Sequence, residues 1–316
     1  MTLAIELQDV SKSFGDTKAV QHLDLEITQG LICGFLGPNG AGKSTTIRMI
    51  MSIIHADSGS INVLGTTALA AKDRIGYLPE ERGVYRKMKV GRFIKYIANL
   101  KGMRGSSLHK TIDDWLERIE LPDVRNKKCE ELSKGMQQKV QFLAAIIHEP
   151  ELIILDEPFT GLDPVNTKLI GDIINELHHK GNTILFSTHV LPQAEEICDR
   201  IVMIDNGLKV IDDQIDTVRE QFNPNIVQVV PLHPNVDFLQ FEGVMNQGTV
   251  NKDGEINLYL KDDACQADVI GNIASTIPIR GIQVLQPTLT DIFIHQIAER
   301  EGSETAEKTR EHLTNA

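Results

Sequence analysis

Residues 31–37 read LICGFLG and residues 37–45 read GPNGAGKST, an apolar run that delivers the chain into a glycine-rich loop. From Gly37 to Thr45 the loop fits G-x-x-x-x-G-K-[ST], and STTIRMI behind it has helical spacing. A buried strand, a tight loop and a helix in that order imply an α/β chain with a parallel sheet. The glycines Gly37, Gly40 and Gly42, with Pro38, Asn39 and Ala41 between them, let backbone N–H groups curl around phosphate oxygens. The helix start adds partial positive charge. Lys43 is expected to reach the β- and γ-phosphates, and the Ser44 hydroxyl, next to Thr45, to ligate Mg²⁺.

The surrounding pattern agrees with such a sheet. Residues 3–10 and 20–27 alternate apolar and polar as half-buried strands do, and a helix is expected from Lys43 to about Ile53. DSGSINVL at 57–64 reads as a turn and strand. Residues 86–131 change to apolar residues at helical spacing with basic and acidic faces, an inserted helical region. Strand and helix then alternate over 152–158, 164–180, 183–188, 190–198 and 200–205, which predicts a mostly parallel sheet covered on both faces. The polar stretch at 206–225 marks a boundary. Beyond it, IVQVV, INLYL and GIQVL suggest strands, while ADVIGNIASTI and LTDIFIHQIAE suggest helices, as in a small α+β domain. The expected division is 1–215 with a helical insert over about 86–148, then 216–300, then a polar tail over 301–316.

Two further stretches carry chemistry. LIILDEP sends a buried strand into Asp156, placed to hold the hydration shell of Mg²⁺, and then Glu157, placed to polarise an attacking water. LSKGMQQK at 132–139 opens a second helix with Ser133 and Gly135. Ser133 is a good helix cap and by itself implies no more. A second phosphate-binding helix start that is not contiguous with the first points instead to the γ-phosphate of a nucleotide held by another copy.

Charge and cysteine usage narrow the class. A net charge of −12 argues against a chain that coats nucleic acid, and less strongly against a small basic patch. Cys33, Cys129, Cys198 and Cys265 lack metal spacing and read as isolated thiols of a reducing cytosol. The N-terminus lacks the basic start and long apolar run of a signal peptide, and no stretch reaches the ~20 apolar residues of a membrane span.

These motifs, in this order over about residues 1–215, resemble the nucleotide-binding subunit of ATP-binding cassette (ABC) transporters. Gly37–Thr45 is similar to the family's Walker A loop, Leu132–Gln137 to its signature, Leu152–Glu157 to Walker B, 161–163 to the D-loop and 187–189 to the switch ending in His189. The resemblance implies a P-loop cassette with a parallel-sheet core, an antiparallel β subdomain and a helical insert, followed by the α+β domain. It implies two cassettes packed head to tail around two ATP, each with Mg²⁺. Ser133 and Gly135 then contact the γ-phosphate of the partner's ATP, Asp163 shapes the dimer contact, and His189 holds the γ-phosphate and water. Phe14 matches the aromatic that stacks on adenine, although an aromatic there could equally be core, and Val20 lines the other side of the base. The Q-loop position holds Glu80 where glutamine is usual; its oxygen can still serve Mg²⁺ or water. Lys134 and Met136 also depart from the commonest signature.

GYLPEERGVY, SKGMQQKVQF and the end QPTLTDIFIHQ resemble one subgroup, the ATPases of ABC-2-type exporters, including Nat-type sodium exporters and daunorubicin-type drug-resistance ATPases. The implied function is an ATP-hydrolysing subunit at the cytoplasmic face of the cell membrane. It pairs with itself and drives a separately encoded membrane permease in Na⁺ or drug efflux, without nucleic acid as partner. The competing reading, a soluble ABC ATPase acting on nucleic acid or ribosomes, usually brings two cassettes in one chain or a long coiled coil. A non-catalytic nucleotide sensor is opposed by the presence of both Glu157 and His189.

Overall fold

The computed structural model describes residues 2–81, 83–222, 225–233, 236–248, 250–251, 254–261 and 263–301. The polar tail expected over 301–316 lies outside them except for Glu301. The chain divides into two units, one running to Ile215 and one starting at Asp216.

The first unit begins with β1 (Leu3–Phe14), paired antiparallel with β2 (Thr17–Thr28) on one side and with a later strand on the other. The chain then enters β3 (Ile32–Leu36), every residue of which is buried. Helix α1 (Lys43–Ile50) follows, and β4 (Ser58–Val63) completes the three-stranded sheet against β1. The helix expected to about Ile53 stops earlier because Ser52 takes a left-handed φ of 55° and the N–H groups of Ile53 and Ile54 fold back onto Arg48 O.

The insert carries α2 (Val90–Leu100), α3 (Leu108–Arg118) and α4 (Lys134–Ile146), entered through the short strand β5 (Ile75–Leu78). Four residues of β5 gave no alternation to read, and it is fixed only by pairing with β6 (Leu152–Asp156). Helix α5 (Pro164–His179) buries Ile170, Ile173, Ile174 and Leu177, the i, i+3, i+4, i+7 stripe of a surface helix. Strand β7 (Thr183–Thr188), α6 (Leu191–Ile197) and β8 (Arg200–Asp205) follow.

The main sheet has the order β5-β6-β7-β3-β8, all parallel, closed on one edge by β9 (Leu208–Gln214) antiparallel to β8. The stretch 206–225, expected as a polar boundary, therefore begins with a hairpin. Asn206 and Gly207 both have positive φ, the two-residue turn that matches strand twist, and the polar residues of β9 suit an edge strand. The apolar core joins both sheets of this unit: Ile5, Leu25, Phe35, Ile47, Ile154 and Val202 belong to one cluster. Each such fully buried side chain contributes about 1.5–3 kcal/mol.

Helix α7 (Ile215–Gln221) leads into the second unit, an antiparallel sheet formed by β10 (Ile226–Pro231), β11 (Val244–Gln247), β12 (Ile256–Leu260) and β13 (Ile279–Leu285) in the order β11-β12-β10-β13. Val227, Val229, Ile256 and Leu258 pack with Val269 and Ile273 of α8 (Gln266–Thr276), and α9 (Leu289–Glu301) ends the described chain. The expected α+β pattern is present; β11 is additional.

The insert is seated on the sheet at Gly76. A Cβ added there would stand 2.2 Å from the Ala145 carbonyl oxygen of α4 and 2.9 Å from Pro150 Cγ. Gly76→Ala is expected to cost about 1–3 kcal/mol by forcing α4 off β5, read as a lower urea midpoint; an unchanged midpoint would contradict this seating.

Candidate functional site

The glycine loop follows β3 and is pressed against two other strands. Gly37 has φ 148° and a Cβ there would stand 2.1 Å from Ile204 O; Gly42 has φ 108° and its Cβ would stand 2.3 Å from Ala19 O. A side chain at either position is excluded by backbone atoms that have no freedom to move aside. Lys43 is buried and its Nζ donates to Gly37 O at 2.7 Å and Pro38 O at 3.0 Å, bridging the loop from inside. Burial lowers its pKa, opposed by the charges of Glu157, Asp156 and Glu80. Asn39 and Gly40 lie exposed at the loop's tip, Ala41 is buried, and Thr45 is half-buried in the first turn of α1.

The carboxylates converge on this loop. Asp156 ends β6, is 2 % exposed, and accepts from Ser187 Oγ at 2.9 Å. Burial pushes its pKa up, and the hydrogen bonds from Ser187 and Ser44 pull it back. Glu157 has a left-handed φ of 53°, a strained conformation for a non-glycine residue, and its N–H donates to Ser187 O at 3.0 Å. That turn aims its carboxylate at the next strand end. Oε1 accepts from His189 N–H at 3.0 Å and lies 2.6 Å from His189 Nδ1, while Oε2 accepts from Thr188 Oγ1 at 3.3 Å. With Nδ1 donating to the carboxylate, the Nε2 edge of His189 remains for another group. Glu80, exposed just past β5, brings Oε2 to 3.4 Å from Ser44 Oγ.

Among the described residues no three His, Cys, Asp or Glu side chains form a metal cage. Ser44, Glu80 and Asp156 are instead a sparse oxygen set beside a phosphate-type loop. Such a set suits Mg²⁺, which keeps water and phosphate oxygens as most of its ligands.

Helix α4 is wired to this cluster through side-chain contacts. Ser133 caps α4, its Oγ accepting from Met136 N–H at 3.2 Å. Gly135 lies against the D-loop: a Cβ there would be 3.3 Å from Gly161 O. Gln138, one turn on and buried, donates through Nε2 to Pro158 O at 3.0 Å, holding the segment that carries Glu157. Sequence reasoning did not single out Gln138; its signal is an uncharged polar residue at the start of the helix's fully buried run. Asp163 is exposed and caps α5, where Asn166 donates to both carboxylate oxygens and holds its pKa below the usual range. Lys134 is exposed. Phe14 is 53 % exposed at the end of β1, with Lys12 Nζ 5.4 Å from its ring centroid, so the core alternative does not hold. Val20 is 2 % exposed and packs beneath Gly42; of the two expected walls for a base, only Phe14 offers an open face.

A groove of about 280 Å³ lies between β5, α2 and α4, with walls that include Met51, Tyr77, Pro79, Phe93 and Ile97. In its lining, Gln141 Oε1 and His148 Nδ1 are buried with no hydrogen-bond partner among the described residues. His148 Nε2 lies 3.2 Å from Ile75 O and carries the hydrogen, which leaves Nδ1 as an acceptor. Burial, then the nearby Lys101 charge, lowers the His148 pKa to about 4. The groove thus presents apolar walls and two waiting acceptors.

Comparison with known proteins finds what the chain is similar to. Residues 20–160 match the ABC transporter family, and residues 214–297 match the C-terminal domain of DrrA1-3-like ATP-binding proteins. The chain is 40% identical over 297 residues to the uncharacterized ABC transporter ATP-binding protein YhaQ of Bacillus subtilis, covering 93% of this chain and 98% of the relative. It is 30% identical to the daunorubicin resistance ATP-binding protein DrrA3 of Streptomyces coeruleorubidus, covering 92% and 95%. A solved ATP-binding subunit of an ABC transporter superposes with TM-score 0.65 at 30% identity, covering 69% of this chain and 93% of that one.

The His148 environment generates a pH prediction. Unfolded, an ordinary histidine binds a proton near pH 6.5, whereas the folded chain refuses it until about pH 4. Between those values the unfolded state binds more protons, so stability falls as pH drops through that window. His148→Asn should flatten this part of the curve of urea midpoint against pH; an unchanged slope would show that His148 is not the group responsible.

Proposed function

The chain belongs to the ATP-binding subunits of ABC transporters, which hydrolyse ATP to power transport, and from that premise we propose how its residues divide the work. The observation that carries the reading is the Glu157 carboxylate, held by His189 and Thr188 on one side and facing the Lys43 loop on the other. Backbone N–H groups from Asn39 to Thr45 hold the phosphates, and Phe14 supplies the stacking face for adenine. Lys43 exchanges the carbonyls of Gly37 and Pro38 for β- and γ-phosphate oxygens. Ser44, Asp156 and Glu80 would hold Mg²⁺, which neutralises phosphate charge when bound. Glu157 accepts a proton from the water that attacks the γ-phosphorus as the bond to the β-phosphate oxygen breaks. His189 presents Nε2 to the γ-phosphate.

The same chain does not complete this site. Ser133 and Lys134 are exposed although α4 from Gln138 onward is buried, so the helix start is presented outward. This supports Ser133 and Gly135 contacting the γ-phosphate bound by a second copy, with Asp163 at the contact. ATP then closes a head-to-tail homodimer and hydrolysis reopens it.

The apolar groove on α2 and α4, with the loop from Glu80 to Met88, is our candidate seat for a cytoplasmic helix of the permease, placing the subunit peripherally at the membrane. Among the described residues no helix is long and apolar enough to cross a membrane. The C-terminal match and the daunorubicin-resistance relative support drug export; Na⁺ is the other cargo the subgroup resemblance implies.

Glu157→Gln should lower turnover by about 10²–10⁴-fold while keeping ATP binding and accumulating an ATP-bound dimer in size-exclusion runs. A variant that hydrolyses at the parent rate would refute the base assignment. Lys43→Ala and Ser133→Arg subunits should each be inactive alone and recover activity when mixed, because one composite site per heterodimer is intact. Failure to recover activity, with heterodimers verified, would place Ser133 outside a shared site.

A further inference from the structure

Charge is distributed very unevenly along this chain. From Arg82 to Ile112 there are nine Lys and Arg and no Asp or Glu, within a molecule of net charge −12. Most of this run folds into one place, the entry to α2 and the exposed side of that helix. Arg86, Lys87, Lys89 and Arg92 are exposed and make no ion pair among the described residues. Among the described residues Lys95 meets only His109, its Nζ 3.0 Å from Nε2.

The cations are interleaved with exposed apolar and aromatic side chains. Tyr85 is 52 % exposed, Tyr96 41 % and Leu100 58 %, and the two tyrosine rings meet edge-on at 5.7 Å. At 100° per residue, Arg92, Lys95, Tyr96 and Leu100 share the outward arc of α2, while Val90, Phe93, Ile94 and Ala98 share the buried one. Tyrosine among lysine and arginine, with an apolar side chain beside them, is the pattern of a surface lying at a lipid headgroup layer. Each cation near an anionic leaflet adds attraction that salt screens.

We propose that this face of α2 contacts the anionic phospholipid surface beside the permease. The proposal rests on the permease-docking reading for its orientation. Phe93 and Ile97 line the groove on one side of α2, so a membrane subunit seated there would bring the adjacent basic side toward the bilayer plane. That continuity with the groove favours lipid over a polynucleotide as the anionic partner. The contact adds a second attachment that depends on lipid charge.

The test uses the full chain and permease-free vesicles, by co-sedimentation. The chain should bind phosphatidylcholine vesicles containing about a quarter phosphatidylglycerol at about 0.1 M salt, and lose most of that binding at about 0.5 M. It should ignore pure phosphatidylcholine. Lys89→Glu/Arg92→Glu/Lys95→Glu should weaken binding at least about tenfold, with ATPase rate and melting temperature unchanged. The proposal is overturned if the parent chain fails to bind anionic vesicles at the lower salt or binds neutral ones equally. It also falls if a folded triple variant binds as the parent does, or if a polynucleotide outcompetes the vesicles. If vesicles are ignored while the triple variant loses the detergent-solubilised permease, the face is protein-directed and the lipid contact is wrong. Because the vesicles contain no permease, failure here leaves the docking reading standing. That reading fails separately if blocking the groove leaves permease co-purification intact.

Discussion

The fold turns on two close approaches of backbone to backbone. The glycine loop rests on the carbonyls of Ala19 in β2 and Ile204 in β8, at positions where a Cβ would stand 2.3 and 2.1 Å away. The antiparallel sheet, the parallel sheet and α1 meet at these points. The loop's curvature, and with it the direction of its N–H groups, is therefore set by three elements at once. Lys43 closes the arrangement from inside, its buried ammonium held by the loop's own carbonyls and by the field of three carboxylates. A cation placed there without those neighbours would carry an uncompensated desolvation cost.

Helix α4 is the second organiser. Its first residues, Ser133 and Gly135, are presented outward and beside the D-loop. Its middle, through Gln138, holds the backbone next to Glu157. Its far half carries Gln141, Ala144 and Ala145 into the groove, ahead of His148, and rests on Gly76 of β5. Helix α4 thus runs as one hydrogen-bonded element from the groove's walls to the segment bearing Glu157. The groove and the glycine loop's carboxylates are therefore joined by one continuous rigid element rather than by a chain of weak contacts.

Much of the site was legible in the residues because its chemistry is local. Gly37, Gly42, Lys43 and Ser44 are constrained by spacing along a single turn, and Asp156 and Glu157 stand where an apolar strand must end. Other features were illegible because long-range pairing decides them. Strand β5 is four residues long and exists through β6; β9 is polar because it lies at an edge, and its turn at Asn206–Gly207 looked like a linker. Gln138 matters through Pro158, twenty residues away in sequence. Periodicity could not decide whether Phe14 is core or surface, because a strand's last residue has no successor to set its face.

The sequence by itself determined that a phosphate-type glycine loop stands at Gly37–Thr45, that acidic residues follow a buried strand, and that a second polar helix start lies at Ser133. These follow from backbone sterics and the chemistry of a few adjacent residues. Only the tertiary structure decided that His189 and Thr188 hold the Glu157 carboxylate and that Phe14 stands open while Val20 is buried. It likewise covered the side of α2 opposite Arg92 and Lys95. Those outcomes depend on which strand lies beside which and on which face of a helix is covered, and hydrophobic burial settles both over the whole chain at once.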